Sequence, residues 1–79
     1  MNKELICVFC TKFQDKNGNT YHSGIIHTPT ETIKINYTYG YGNQYQATAN
    51  EILLKKGYVL QNYRIKYTDI ITNLKKNML

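Results

Sequence analysis

Phe13-Gln14-Asp15-Lys16-Asn17-Gly18-Asn19-Thr20-Tyr21-His22 decides how this chain folds, because it joins two extended runs through an Asn-Gly pair. Asn-Gly is the strongest short-range hairpin signal: both residues tolerate positive φ, and a two-residue turn built on them matches the twist of the flanking strands. Lys3 to Phe13 is rich in β-branched and aromatic residues and reads as a first strand; Thr20 to Thr28 returns as a second. With Asn17-Gly18 as the turn, Lys16 pairs with Asn19, so Phe13 meets His22, Cys10 meets Ile25 and Val8 meets His27. On that register Phe9 and Ile26 point to one face of the hairpin, and Ile6, Val8, Cys10, Ile25 and His27 point to the other.

Downstream, Thr28-Pro29-Thr30-Glu31 makes a turn in which proline pre-sets φ. Thr32 to Tyr39 then alternates cleanly, with Ile33, Ile35, Tyr37 and Tyr39 on one side and Thr32, Lys34, Asn36 and Thr38 on the other. Gly40-Tyr41-Gly42-Asn43 breaks the extended pattern, and Asn43 is placed to cap a helix by accepting a backbone N–H bond. From Gln44 to Lys56, Tyr45, Ala49, Ile52, Leu53 and Lys56 recur at helical spacing, and Gly57 is the expected stop. Tyr63, Ile65 and Tyr67 alternate with Arg64, Lys66 and Thr68 in a fourth strand reaching about Thr72, leaving residues 73–79 as a mobile, lysine-bearing tail. The order β-β-β-α-β predicts a single α+β domain, a small antiparallel β-sheet with one helix packed on one face. Phe9, Phe13, Ile26, Ile33, Ile35, Tyr37, Ile65 and Tyr67 are the expected core beneath that helix.

Seventy-nine residues allow one core. A chain of this size buries only roughly 60% of the surface its unfolded form exposes, so a disulfide, a metal or a second subunit is a common supplement. The apolar patch of Ile6, Val8, Cys10, Ile25 and His27, on the face away from the helix, is the expected oligomer interface, with a homodimer as the simplest assembly and folding-over of the tail as the alternative. No stretch approaches the roughly 18 consecutive apolar residues of a membrane span, and the start of the chain lacks the pattern of a signal peptide. Two cysteines without export signals place the expected location in the cytoplasm.

Cys7-x-x-Cys10 with His22-x4-His27 has the residue types of a zinc finger. A zinc site needs four ligands around one ion, whereas strand residues three apart point to opposite faces about 10 Å from one another, so buried free cysteine is the expectation and no metal is assigned. The same pair sits mid-strand, away from the helix N-terminus that activates a redox cysteine. Gly40-Tyr41-Gly42 lacks the third glycine of a dinucleotide loop and the Gly-Lys-Ser/Thr of a phosphate loop, and a tight turn accounts for it. No serine, cysteine or carboxylate is arranged with either histidine, so neither an enzyme nor a cofactor is expected. Recognition is the better-supported theme. Ten Lys and Arg against five Asp and Glu give a net charge of +5, and of eight tyrosines, with no tryptophan, Tyr37, Tyr39, Tyr41 and Tyr45 crowd around the glycine turn. Tyr39 and Tyr41 are the candidate exposed contacts, and Lys12, Lys34, Arg64 and Lys66 a candidate basic field. Tyr37, Tyr45 and Tyr67 are assigned to the core.

Asp15-Lys16-Asn17-Gly18-Asn19-Thr20-Tyr21-His22-Ser23 and Tyr39-Gly40-Tyr41-Gly42-Asn43-Gln44-Tyr45, with Thr48-Ala49, resemble segments of small, uncharacterised proteins encoded by phages and prophages. The resemblance implies a mobile-element protein acting in the host cytoplasm by binding a host protein or a protein–nucleic-acid complex, in the manner of inhibitors of host defence such as anti-CRISPR proteins. The alternatives from the residues themselves are a small basic DNA- or RNA-binding domain and a structural, oligomerising subunit.

Overall fold

The computed structural model describes residues 3–40 and 42–72, so the expected tail at 73–79 and the contact assigned to Tyr41 lie outside the described residues. Four strands and one helix follow in the expected order: β1 (Glu4–Gln14), β2 (Thr20–His27), β3 (Thr32–Tyr39), α1 (Gln44–Lys55) and β4 (Tyr63–Thr72), with a short 3-10 turn over Leu60–Asn62 before β4. They form one sheet in the order β3-β2-β1-β4, covered by α1 on one face. Among the described residues no helix is long and apolar enough to cross a membrane.

The hairpin closes one residue away from the register expected of a two-residue turn. Asp15, not Lys16, pairs with Asn19: the Asp15 amide donates to the Asn19 carbonyl at 2.9 Å, and the Gly18 amide donates to the Asp15 carbonyl at 3.1 Å. Lys16, Asn17 and Gly18 thus form a three-residue loop, with Gly18 at φ +86, the geometry of a type I turn ending in a glycine bulge. The Asp15 side chain selects it. Its Oδ1 accepts the amide N–H groups of Asn17 and Asn19, both at 2.9 Å, which a two-residue turn would not bring together.

Because side chains alternate along a strand, one residue of slip exchanges the faces of β1. The partners are now Val8 with Ile26, Cys10 with Gly24 and Phe13 with Tyr21. Ile6, Val8 and Cys10 are fully buried with Ile26, Ile33 and Ile35 beneath Tyr45, Ala49 and Leu53 of α1. Three of the five residues assigned to an oligomer interface therefore belong to the core. Only Ile25 and His27 lie on the opposite face, one half-buried and one exposed. Phe9 and Phe13 move the other way, from the expected core to the face opposite α1, where both are half-buried.

β3 departs from strict alternation. Between His22 and Gly24 the pairing with β3 shifts, so that Asn36 and Tyr37 together oppose Ser23. This bulge lets Ile33 and Ile35 enter the core while Tyr37 and Tyr39 turn to the face opposite α1, 41% and 57% exposed. Tyr37 is thus a surface residue, contrary to its assignment from the pattern. Gly24 sits beside the irregularity because the backbones are too close for anything larger: an added Cβ would collide with the Phe9 carbonyl oxygen and lie 2.9 Å from the Cys10 Cα.

α1 begins without the expected side-chain cap. Asn43 has φ −94 and ψ 17, outside the extended region in which an N-cap side chain reaches back, and its backbone carbonyl accepts the Gln46 N–H instead. The helix ends as expected at Gly57, φ +94, with the Tyr58 amide donating to Leu53 and the Gly57 amide to Leu54. Having run back across the sheet, α1 returns the chain to the end at which β1 and β3 start. β2 already occupies one side of β1, so β4 joins the other side, parallel, with Ile6 opposite Ile65 and Val8 opposite Tyr67. The sheet is consequently mixed: three antiparallel strands and one parallel addition.

Asp15→Ala should lower stability by about 1–2 kcal/mol through loss of the two turn amide bonds. Asp15→Asn, which keeps the acceptor oxygen, should lose less than half of that; urea denaturation of the three proteins measures both.

Candidate nucleic-acid and protein interface

The face of the sheet opposite α1 carries no covering element among the described residues. Reading across the strands from partner to partner gives its rows. Thr32, His27, Cys7 and Lys66 form one; Lys34, Ile25, Phe9 and Thr68 the next; Tyr39, Tyr21 and Phe13 close the far end. From Cys7 to Phe13 the face is about 20 Å long, and four strands make it about 14 Å wide.

The far end is aromatic, with Tyr21 at its centre. Its ring lies 5.0 Å from that of Tyr37 with an interplanar angle of 13°, meets Tyr39 edge-on at 5.5 Å, and lies 6.5 Å from Phe13 at 25°. Each such pair contributes about 0.5–1.5 kcal/mol beyond area burial, so the rings hold one another in place. Partial desolvation, then Tyr21 and Asp15, raise the Tyr37 phenol above the ordinary tyrosine range. Between the aromatic end and the Phe9–Ile25 row, the small side chains of Thr11 and Ser23 are buried, with Thr11 Oγ1 donating to the Ser23 carbonyl at 3.4 Å.

The near end is basic. Lys34, Arg64 and Lys66 are exposed and alternate with core-facing neighbours, which directs them to this face. Lys12, the fourth cation of the expected field, is elsewhere. The shift that buries Val8 also turns Lys12 to the helix side, where its Nζ lies 2.5 Å from Asp69 Oδ2 and 5.1 Å from the Tyr45 ring centroid.

Four of the five carboxylates stay off the face opposite α1; the fifth, Asp15, follows Phe13 at its aromatic end, where its charge reaches Tyr37. Asp69 holds Lys12, Glu51 pairs with Lys55 on the outer surface of α1, and Asp15 is engaged by the turn amides. Glu4 shares the helix-side register of Ile6. Glu31 accepts the Tyr58 hydroxyl at 2.5 Å and the Lys56 ammonium at 3.3 Å, and these partners, Tyr58 first, lower its pKa below the ordinary glutamate range. Glu31 and Tyr58 border a shallow depression of about 320 Å³ at the C-terminal end of α1. Thr28 Oγ1 lies 3.1 Å from the Tyr58 hydroxyl in the same corner, so its polar groups serve one another and tie the β2–β3 turn to the helix end.

The Cys/His set is divided between the two faces. Cys10 and His22 lie on the helix side and Cys7 and His27 on the other, and the described residues hold no group of three metal-ligating side chains. His22 is 1% exposed and structural: its Nε2 lies 3.1 Å from Thr48 Oγ1, which donates to the Gln44 carbonyl, and its Nδ1 lies 3.4 Å from the Gly40 carbonyl. It thereby fastens β2 to the start of the helix. The Cys10 thiol is pushed up to about 11, chiefly by burial, which opposes nucleophilic use.

The site residues that sequence reasoning missed are Tyr21, Tyr37 and Phe13. Gly24 in mid-strand was the signal for the bulge that redirects Tyr37, and Asp15 before Lys16-Asn17-Gly18 was the signal for the turn that redirects Phe13. A thiol reagent in excess should modify Cys7 readily and Cys10 only on unfolding, giving one fast and one slow labelling phase by mass spectrometry; two fast phases would contradict the buried placement of Cys10.

No family model, no curated protein and no solved structure matches this chain.

Proposed function

We propose that this chain is a non-catalytic binding module whose working surface is the sheet face opposite α1, and that its partner is a protein–nucleic-acid complex. The observation that carries this reading is the segregation of charge: Lys34, Arg64 and Lys66 share the face, four of the five carboxylates lie away from it, and the fifth, Asp15, is held by turn amides at the opposite, aromatic end. A net charge of +5 reinforces the attraction to a polyanion. Tyr37 and Tyr39, 41% and 57% exposed on the same surface, add large, rigid contact area with polar tips, which suits recognition. The resemblance to small phage proteins is consistent with a host complex of this kind, including a CRISPR effector. The oligomerising-subunit reading loses its patch, because Ile6, Val8 and Cys10 are interior.

The test is retention from bacterial extract on the immobilised chain, run beside a Lys34→Glu/Tyr39→Ser variant and with or without nuclease. A nucleoprotein retained by the wild type, lost from the variant and diminished by nuclease is the expected outcome. Equal retention by the two proteins would contradict a role for this face.

A further inference from the structure

We propose that Asn17–Gly18 is a site of spontaneous deamidation, that the native turn holds the reaction back, and that the reaction, once it occurs, removes the clamp that shapes the turn.

Asparagine is a thermolabile residue, because the backbone nitrogen that follows it can attack its side-chain carbonyl. Closing that five-membered ring is intramolecular, so geometry limits it. A side chain on the attacking residue screens the nitrogen, and glycine has none. Of the asparagines in this chain only Asn17 precedes a glycine. Both residues are exposed, and Gly18 has open space where a Cβ would stand. The Asn17 carboxamide has no hydrogen-bond partner among the described residues. In the reaction the Gly18 nitrogen gives its proton to solvent base and bonds to Asn17 Cγ, while the side-chain nitrogen takes up a proton and leaves as ammonia. Water then opens the resulting succinimide. Addition at Cγ, with cleavage of the new bond, yields aspartate. Addition at the main-chain carbonyl, with cleavage of the original peptide bond, yields isoaspartate, whose backbone runs through the side chain.

The turn opposes the first step. The Gly18 N–H that must be lost donates to the Asp15 carbonyl at 3.1 Å, and the Asn17 and Asn19 amides on either side are both held by Asp15 Oδ1 at 2.9 Å. Reaction therefore draws on the fraction of molecules in which the turn is open. The products then keep it from closing. The succinimide has no Gly18 N–H to donate. Isoaspartate adds one backbone carbon between the two amides that a single carboxylate oxygen bridges. Either hydrolysis product also places a second carboxylate two residues from Asp15 and lowers the net charge of +5 by one. Since this turn chooses which apolar set of β1 is buried, its loss removes the constraint on the register of the core.

The test incubates the full chain in mildly alkaline buffer, native and in urea, and follows aspartate and isoaspartate at residue 17 by digestion and mass spectrometry. In urea, residue 17 should convert ahead of every other asparagine. In the native chain its rate should be lower by about tenfold or more, because the turn bonds must open first. Asp15→Ala should recover at least about fivefold of that difference and leave the rate in urea unchanged. Asn17→Gln, which would have to close a larger ring, should stay unconverted over the same period. The isoaspartyl fraction, separated by ion exchange, should melt roughly 4–8 °C or more below the fresh chain. Thermal melts of the Asp15→Ala protein confirm that it is folded. Equal rates in the native chain and in urea would overturn the inference, as would a native rate that folded Asp15→Ala leaves unchanged. So would conversion of another asparagine ahead of residue 17, or an isoaspartyl fraction that melts with the fresh chain.

Discussion

Two hydrogen bonds to one carboxylate oxygen set the arrangement of this molecule. The Asn17 and Asn19 amides donate to Asp15 Oδ1, and in doing so close a three-residue loop that pairs Asp15 with Asn19. Pairing then propagates along the hairpin, and the period of two residues converts a local choice of turn into a global choice of face. β1 is apolar on both sides: Ile6, Val8 and Cys10 against Leu5, Cys7 and Phe9. Hydrophobicity alone does not choose between these sets. The turn does, sending the first set beneath α1 and leaving Phe9 and Phe13 on the opposite side with Ile25 and Tyr21.

A second constraint acts on β3. At Gly24 the backbone of β2 approaches β1 so closely that no side chain fits, and the irregularity beside it gives β3 an extra residue. Without that residue Tyr37 would continue the row of Ile33 and Ile35 into the helix interface. With it, Tyr37 stacks on Tyr21. Turn and bulge act on different strands yet converge on one result, an aromatic cluster on the side away from the helix. The helix side compensates with its own polar anchors: Lys12 between Asp69 and the Tyr45 ring, the Tyr67 hydroxyl donating to Asn50 at 2.6 Å, and His22 beside Thr48.

Much of this was legible in the residues. The α+β class, the element order and the bounds of β3 follow from alternation, from the helical spacing of Tyr45, Ala49 and Leu53, and from Gly57 as a stop. Lys34, Arg64 and Lys66 were correctly grouped because each alternates with a residue committed to the core. The faces of β1 were not legible, since Asn17-Gly18 admits two loop lengths and the choice rests on a side-chain acceptor two residues earlier. Lys12 was misplaced for the same reason. Tyr37 was misplaced because an unbroken sequence alternation hides a bulge whose cause lies on the neighbouring strand. The parallel addition of β4 depends on where α1 returns the chain, which is a property of the assembled sheet. These are non-local effects, and they fall on the residues that form the candidate site.

The central claim is that the Asp15 turn fixes the register and thereby builds the aromatic and basic face. Cross-strand nuclear Overhauser contacts between β1 and β2 measure that register directly. The account predicts backbone contacts that place Val8 opposite Ile26, Cys10 opposite Gly24 and Phe13 opposite Tyr21. Contacts placing Val8 opposite His27, Cys10 opposite Ile25 and Phe13 opposite His22 would contradict it, returning Ile6, Val8 and Cys10 to the outer face and dissolving the site.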